Sequence, residues 1–390
     1  MQGQKRETKN RNNARKQLPK NAKKQLKKTF QRELLKHLGL KKSIAVFLAN
    51  LVFGIISSKS VWQKNIAQAS DNNGSFVASF VRRTQRFLSS SLLSYALLSL
   101  MIYNQIGQKQ VTIILDRTNW KRGNKNINIF VAAVLYELPG KKQATAIPIA
   151  WEVFDHAGNS DTQARIRLMK KVIQAVGGAQ NIKMVLGDRE FIGNDWIKFL
   201  HENNIPFIIR IKKMMRVHDG SREVSALELV CHVKQGEELC YDVTMNGIPV
   251  RLAATRSSEN DLVVTIASLS VTDSILQEYR KRWLIELFFK SAKSQGFNLE
   301  DTHMTDPDHI KCLFGLITLA TLFVTKAGIA KAHHVPIPIK NHGRPAVSIF
   351  TYGLDFVCEL FRGTMPRWFE SFRKSPTEKL PQGFFALESS

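Results

Sequence analysis

Val111-Thr112-Ile113-Ile114-Leu115-Asp116 opens the α/β part of this 390-residue chain. Five apolar or β-branched residues in a row read as a short buried strand, and the run stops at an acid. Toward the C-terminus, Asn128 to Tyr136 and Ala146 to Phe154 read as two more strands. A Gly158-Asn159-Ser160-Asp161 turn with capping residues then starts a helix to about Val176. A strand from Lys183 to Leu186, a helix from Asn194 to His201 and a strand from Phe207 to Ile211 follow.

Three strands, a helix, then strand and helix in alternation is the element order of a ribonuclease-H-like α/β domain. Residues 213 to 270 break that rhythm with strand-like pieces at Leu239 to Met245, Val250 to Thr255 and Leu262 to Ser268, a β-rich insertion. A long helix from about Thr272 to Ser294 comes next. The catalytic domain is therefore expected over residues 106–305, with a mostly helical tail over 306–390.

On the N-terminal side, residues 1–30 hold one acid, Glu7, and almost no large apolar side chains. Such a segment reads as a disordered basic arm. Between residues 31 and 105 the pattern is helical. Helices are expected at Ile44 to Ser57, Ser60 to Ser70, Ser75 to Ser89 and Leu92 to Tyr103, punctuated by Lys59 and an Asp71-Asn72-Asn73-Gly74 turn. A small basic helical domain suits DNA binding; an all-helical packing domain that touches no groove fits the pattern equally.

Composition narrows the partners. Lys and Arg number 57 against 32 Asp and Glu, a formal charge of +25 and a pI near 10.0. Such a surplus repels itself unless a polyanion neutralises it, so nucleic acid leads over a membrane surface. The apolar runs Ile44 to Ile56 and Cys312 to Val324 fall short of the ~20 residues a span needs, so core helices and no membrane are expected. Cys231, Cys240, Cys312 and Cys358 form no C-x-x-C pair and read as buried thiols of a cytoplasmic protein.

Asp116 and Asp188 each follow an apolar run, the second in Met184-Val185-Leu186-Gly187-Asp188-Arg189-Glu190-Phe191. Two carboxylates at neighbouring strand ends make a hard oxygen site for Mg²⁺ or Mn²⁺, although an Asp at such a junction more often caps a turn. On the long helix, Tyr279, Arg282, Glu286, Lys290 and Lys293 share one face, with Leu284, Leu287, Phe288 and Ala292 opposite. That face is either a solvated stripe of ion pairs or a carboxylate flanked by cations that hold phosphates. Glu190 reads as a surface partner of Arg189, and Asp155 and Asp161 as loop caps. His156 and His218 lack ligand spacing.

Tyr279-x-x-Arg282-x-x-x-Glu286-x-x-x-x-x-x-Lys293 resembles the signature of bacterial cut-and-paste transposases of insertion-sequence family four. The resemblance runs from about Val111 to Met304 and implies Asp116, Asp188 and Glu286 as catalytic, metal-holding acids. It implies two Mg²⁺ ions, with Mn²⁺ substituting, ~3.5–4 Å apart between the carboxylates. Hydrolysis would free the element's 3′ ends, whose hydroxyls then attack target DNA. Tyr279, Arg282, Lys290 and Lys293 would contact DNA phosphates near the cut. Trp283 would either stack on a displaced base or belong to the core. Terminal inverted repeats and target DNA are the implied partners, met by a homodimer assembled on DNA in the bacterial nucleoid. Family members that pass through a DNA hairpin use a Trp in the β insertion; here no Trp stands between Trp196 and Trp283. Two rival readings are a nuclease of the same fold that never joins strands, and a non-catalytic basic DNA-binding protein.

Overall fold

The computed structural model of the protein describes residues 23–70, 77–138, 143–158, 160–257, 259–341 and 343–363. Most of the expected basic arm (residues 1–22), the turn at Asp71 to Gly74 and the tail beyond residue 363 lie outside them. The chain divides into two compact units: Tyr95–Phe289, and one drawn from both ends, Met1–Ser94 with Lys290–Ser390.

In chain order the end-derived unit begins with helices α1 (residues 23–38), α2 (Lys42–Ser58), α3 (Gln63–Ala69) and α4 (Val77–Leu88). Residues 23–30, expected without structure, are helical. Leu26, Phe30, Leu34 and Leu38 recur every fourth position along α1 and are all buried, which stabilises a segment whose other residues, Leu35 apart, are charged or polar. The Tyr95–Phe289 unit follows with α5 (Tyr95–Ile106), β1 (Val111–Arg122), β2 (Lys125–Glu137), β3 (Ala144–Phe154), α6 (Thr162–Val176), β4 (Ile182–Gly187), α7 (Asn194–Glu202) and β5 (Phe207–Arg210). The inserted region supplies β6 (Arg216–His218), β7 (Glu223–Ser225), α8 (Ala226–Val230), β8 (Glu238–Met245), β9 (Ile248–Arg256) and β10 (Leu262–Ser268). Helices α9 (Ile275–Arg280) and α10 (Leu284–Lys290) come next, and α11 (Pro307–His334) and α12 (Ile349–Phe361) return to the end-derived unit.

One ten-stranded sheet in the order β3-β2-β1-β4-β5-β10-β9-β8-β6-β7 organises the Tyr95–Phe289 unit. β1, β2 and β3 are antiparallel neighbours, while β4 lies parallel to β1 and β5 parallel to β4. With α6 crossing between β3 and β4, this is the ribonuclease-H-like arrangement, and α6 packs on β2 and β3. β3 is an edge strand, and its Pro148 sits where the register with β2 shifts, the position at which a sheet tolerates a missing donor. The insertion is no separate module: β10 pairs antiparallel with β5, and β9, β8, β6 and β7 continue the same sheet.

In the end-derived unit, Phe30, Phe53 and Phe323 meet edge to face with centroids 5.0 to 5.4 Å apart, joining α1, α2 and α11. α11 extends well past the run from Cys312 to Val324. At 28 residues it is long and apolar enough to cross a membrane, but 89% of its apolar window is buried within the protein. It is the core helix of its unit. Of the four thiols, Cys312 and Cys358 are buried as expected, whereas Cys231 and Cys240 are exposed.

Candidate active site

The strand register brings the two aspartates together. The parallel ladder between β1 and β4 ends at the pair Leu115 and Gly187. Asp116 and Asp188 are the next residue on each strand, so they stand at one level on neighbouring strands. Asp116 is not the strand end that the sequence leads one to expect: β1 runs on antiparallel to β2, from the pair Asp116–Val131 to Arg122–Lys125. What ends at Asp116 is the parallel partner. Asp188 leaves the sheet into a single helical turn, Arg189–Phe191, and its Oδ1 accepts from the Arg189 backbone N–H at 2.8 Å. Gly187 permits that turn: a Cβ there would lie 3.1 Å from the Cβ of Phe191, which is fully buried and stacked on Phe130.

The third acid arrives from α10. The single long helix expected over Thr272 to Ser294 is in fact α9, a tight 3₁₀ turn at Lys281–Trp283, α10 and a π-helical turn at Ser291–Gln295. The changes of pitch rotate the faces. Ile285, Phe288, Phe289 and Ala292 are buried, while Leu287 is exposed rather than packed on the sheet. α9 packs against β5 and β9, which carries Tyr279 to the end of the parallel strands.

Arg282 ties the acids to one another. Its Nη1 donates to Asp116 Oδ2 at 3.2 Å and its Nη2 to Glu286 Oε1 at 2.6 Å. The Tyr279 hydroxyl donates to Asp188 Oδ1 at 3.3 Å. Burial, reinforced by Glu190 and Glu286, holds the Asp116 carboxyl up at about 6 against the opposing pull of the Arg117 N–H and Arg282. Burial likewise pushes the Tyr279 phenol up to about 12. Tyr279 is therefore a neutral donor at physiological pH.

Trp283 is 57% exposed, so it is not a core residue. Lys290 ends α10 and is exposed. Lys293 lies in the π-helical turn, within the end-derived unit, and pairs with Glu300 at 2.5 Å. Asp161 caps α6 by accepting from Ala164 N at 2.6 Å, as expected, and Asp155 and His156 are exposed loop residues. Glu190, expected beside Arg189, instead forms a two-pronged pair with Arg117, both N···O distances 2.7 Å. Arg165, which drew no notice in the sequence, is buried beneath the Asp188 turn. One signal could have found it, because it falls on the otherwise apolar stripe Ala164, Leu168, Met169 and Val172 of α6.

Three carboxylates are the donor set a hard divalent cation takes. As placed, no group of three or more His, Cys, Asp or Glu among the described residues is close enough to hold an ion. The Arg282 guanidinium takes oxygens of both Asp116 and Glu286. A buried acid held near 6 beside two others nevertheless gains from an added cation, so the residues fit a metal once Arg282 turns aside.

A ribonuclease-H-like sheet with acids gathered at the end of its parallel strands defines a class of phosphodiester-processing enzymes. The profile of the Transposase DDE domain family matches residues 107–323, more than half of the chain, and the protein belongs to that family. Its members cleave DNA, transfer strands and generally use divalent metal ions. No curated protein matches the sequence. A solved structure, the cryo-EM structure of a piggyBac transposase synaptic complex with hairpin DNA, is similar over 86% of this chain and 74% of that one. Its identity is 14% and its TM-score 0.44, too distant to inform the chemistry.

Proposed function

We propose that the protein is a cut-and-paste DNA transposase of the insertion-sequence family four type. Asp116, Asp188 and Glu286 would hold two Mg²⁺ ions, Mn²⁺ substituting. The observation that carries this reading is the pair of aspartates level on neighbouring parallel strands, with one arginine joining Asp116 to the acid of α10. Divalent ions there would neutralise charge on the reacting phosphate and make the attacking hydroxyl more acidic. Water adds to phosphorus at the element end and the 3′ oxygen departs as a free hydroxyl. That hydroxyl then attacks a target phosphate, displacing the target's own 3′ oxygen, so each bond broken is matched by one formed.

The chain's own residues orient the DNA. Arg282, released from Asp116 and Glu286, can grip a phosphate with two parallel N–H groups, and Tyr279 can donate to another. Lys290 and Lys293 extend the cationic run of the α10 region. Trp283 offers an exposed indole on which a displaced base can stack. The charge of +25 supports DNA as the partner; we take it to be terminal inverted repeats and target DNA, met by a homodimer on DNA in the bacterial cytoplasm.

The test combines a pre-cut element end, supercoiled plasmid and Mg²⁺. Joined product is expected, and Asp116→Ala, Asp188→Ala and Glu286→Ala should each abolish it while still binding the end. Hydrolysis without joining would assign a nuclease of the same fold. No cleavage with any divalent ion would leave a DNA-binding protein.

A further inference from the structure

Beyond the pair Leu115 and Gly187, the ladder no longer holds β1 and the β4 turn at a fixed distance, yet both aspartates lie beyond it. A side-chain bridge continues where the backbone stops. Arg117, next to Asp116, donates Nε to Oε1 and Nη2 to Oε2 of Glu190, in the turn that Asp188 begins. The pair is planar-to-planar and largely shielded, the geometry in which Arg is not replaceable by Lys. Arg117 Nη1 reaches further, to Asn128 Oδ1 at 3.4 Å and to the Gly158 carbonyl. Asn128 is 1% exposed and donates to the carbonyls of His156 and Gly158. The arginine is thus anchored in β2 and in the loop before α6.

Arg165 holds the same turn from below. At 5% exposure, it donates to the carbonyls of Glu190 at 2.7 Å and Ile192 at 3.0 Å. It donates back to Ser160, at 2.7 Å to the carbonyl and 3.2 Å to Oγ. All four bonds go to uncharged oxygens. A buried cation directed at three backbone carbonyls and one hydroxyl serves to fix that backbone, here the one carrying Asp188.

We propose that Arg117, Glu190 and Arg165 are positioning residues that set the separation of Asp116 and Asp188, with Glu190 acting through Arg117 and not as a metal ligand. This rests on the function proposed above, since it matters only if the two aspartates share ions. Both Glu190 oxygens are engaged by Arg117, whereas Asp116 and Asp188 each accept from a backbone N–H and one further side chain. The partners that orient ligating groups are worth ten- to a hundred-fold in metal affinity.

The experiment measures Mn²⁺ binding to the full-length protein without DNA, from the electron paramagnetic resonance signal of free Mn²⁺. Wild type, Asp116→Ala, Glu190→Gln and Arg117→Lys are compared, with thermal midpoints recorded alongside. Glu190→Gln and Arg117→Lys are each expected to weaken Mn²⁺ binding about ten-fold. Their cleavage should recover toward wild type at saturating Mn²⁺, a split that general loss of stability would not produce. Wild-type affinity in both variants overturns the proposal. So does a Glu190→Gln protein as devoid of Mn²⁺ as Asp116→Ala while Arg117→Lys still binds, since Glu190 would then be a ligand. If Glu190→Gln does not fold, Arg117→Lys decides alone. Wild-type protein whose Mn²⁺ binding Asp116→Ala leaves unchanged would instead fail the function reading.

Discussion

Asp116 is held at about 6, against an ordinary value of 3.8, because burial disfavours its charge and Glu190 and Glu286 stand near it. Between those two values the native chain binds a proton that the unfolded chain releases. Metal-free stability contributed by this group is therefore full below about pH 4 and lost as pH rises through 6, costing about 3 kcal/mol above that. Asp116→Asn should then melt several degrees above wild type at pH 8 in a chelator, with the difference gone by pH 4. A melting point lowered at pH 8 would mean that Arg282 more than offsets the burial. Trp283 invites a different test. With its indole in water, Trp283→Ala should move stability by less than about 0.5 kcal/mol. A stacked base would nonetheless cost about 1–3 kcal/mol of affinity for a frayed element end, read by fluorescence anisotropy. Equal affinities for wild type and variant would remove the stacking role. At this scale the local patterns around the three acids were legible: an apolar strand, a second apolar strand, and a spaced set on a helix. The Arg117–Glu190 pair was not, since the partners are far apart in sequence and only the strand register aligns them. The local neighbour, Arg189, was the natural but mistaken choice for Glu190.

Elements rather than residues decide how well the site is held. α6 begins at Asp161, whose carboxylate takes the Ala164 N–H, and its first turn delivers Arg165 to the carbonyls of the Asp188 turn. Asp161→Ala should cost about 1 kcal/mol in urea unfolding. A shift in midpoint with unchanged slope is expected, and no shift would show that Ser160 or the preceding loop caps the helix instead. Element order and type were readable throughout the five-stranded half, because buried strands and amphipathic helices impose different periods. The errors fall where neighbours override the local pattern. β1 continues past Asp116 as Arg117-Thr118-Asn119-Trp120-Lys121-Arg122, mostly polar residues that join the sheet because β2 folds back through the tight turn at Gly123. The β-rich insertion is legible from its short, polar-flanked strands, but not that β10 pairs with β5 and so lengthens the main sheet. Within Thr272 to Ser294 the pitch changes, and α9 packs against β5 and β9, partners that no helical periodicity reveals.

For the whole molecule, charge and chain connectivity make separable demands. A surplus of +25 implies binding governed by counterion release. If about 6–10 phosphates are neutralised, affinity for any duplex should fall about 10³–10⁵-fold between 50 and 200 mM salt. A shallow slope would assign the surplus to something other than DNA. Connectivity could not be read from local patterns at all: residues before Ser94 and after Lys290 form one unit, although nearly two hundred positions separate them. Its core shows why. Phe30, Phe53 and Phe323 each lie within 5.4 Å of the other two, so α1 and α2 bury their aromatic rings only if α11 is present. Helices of this length are marginal alone in water, and their stability comes from packing an apolar face. Phe323→Ala should accordingly cost about 3–5 kcal/mol. Because the loss falls within one unit, hydrogen exchange should accelerate in α1, α2 and α11 while β1, β4 and β5 keep their protection. A fragment ending at residue 94 should lack cooperative melting and regain it when residues 290–390 are co-expressed with it. Protected α1 and α2 amides in that fragment alone would refute the shared core, and would make the N-terminal helices a domain in their own right.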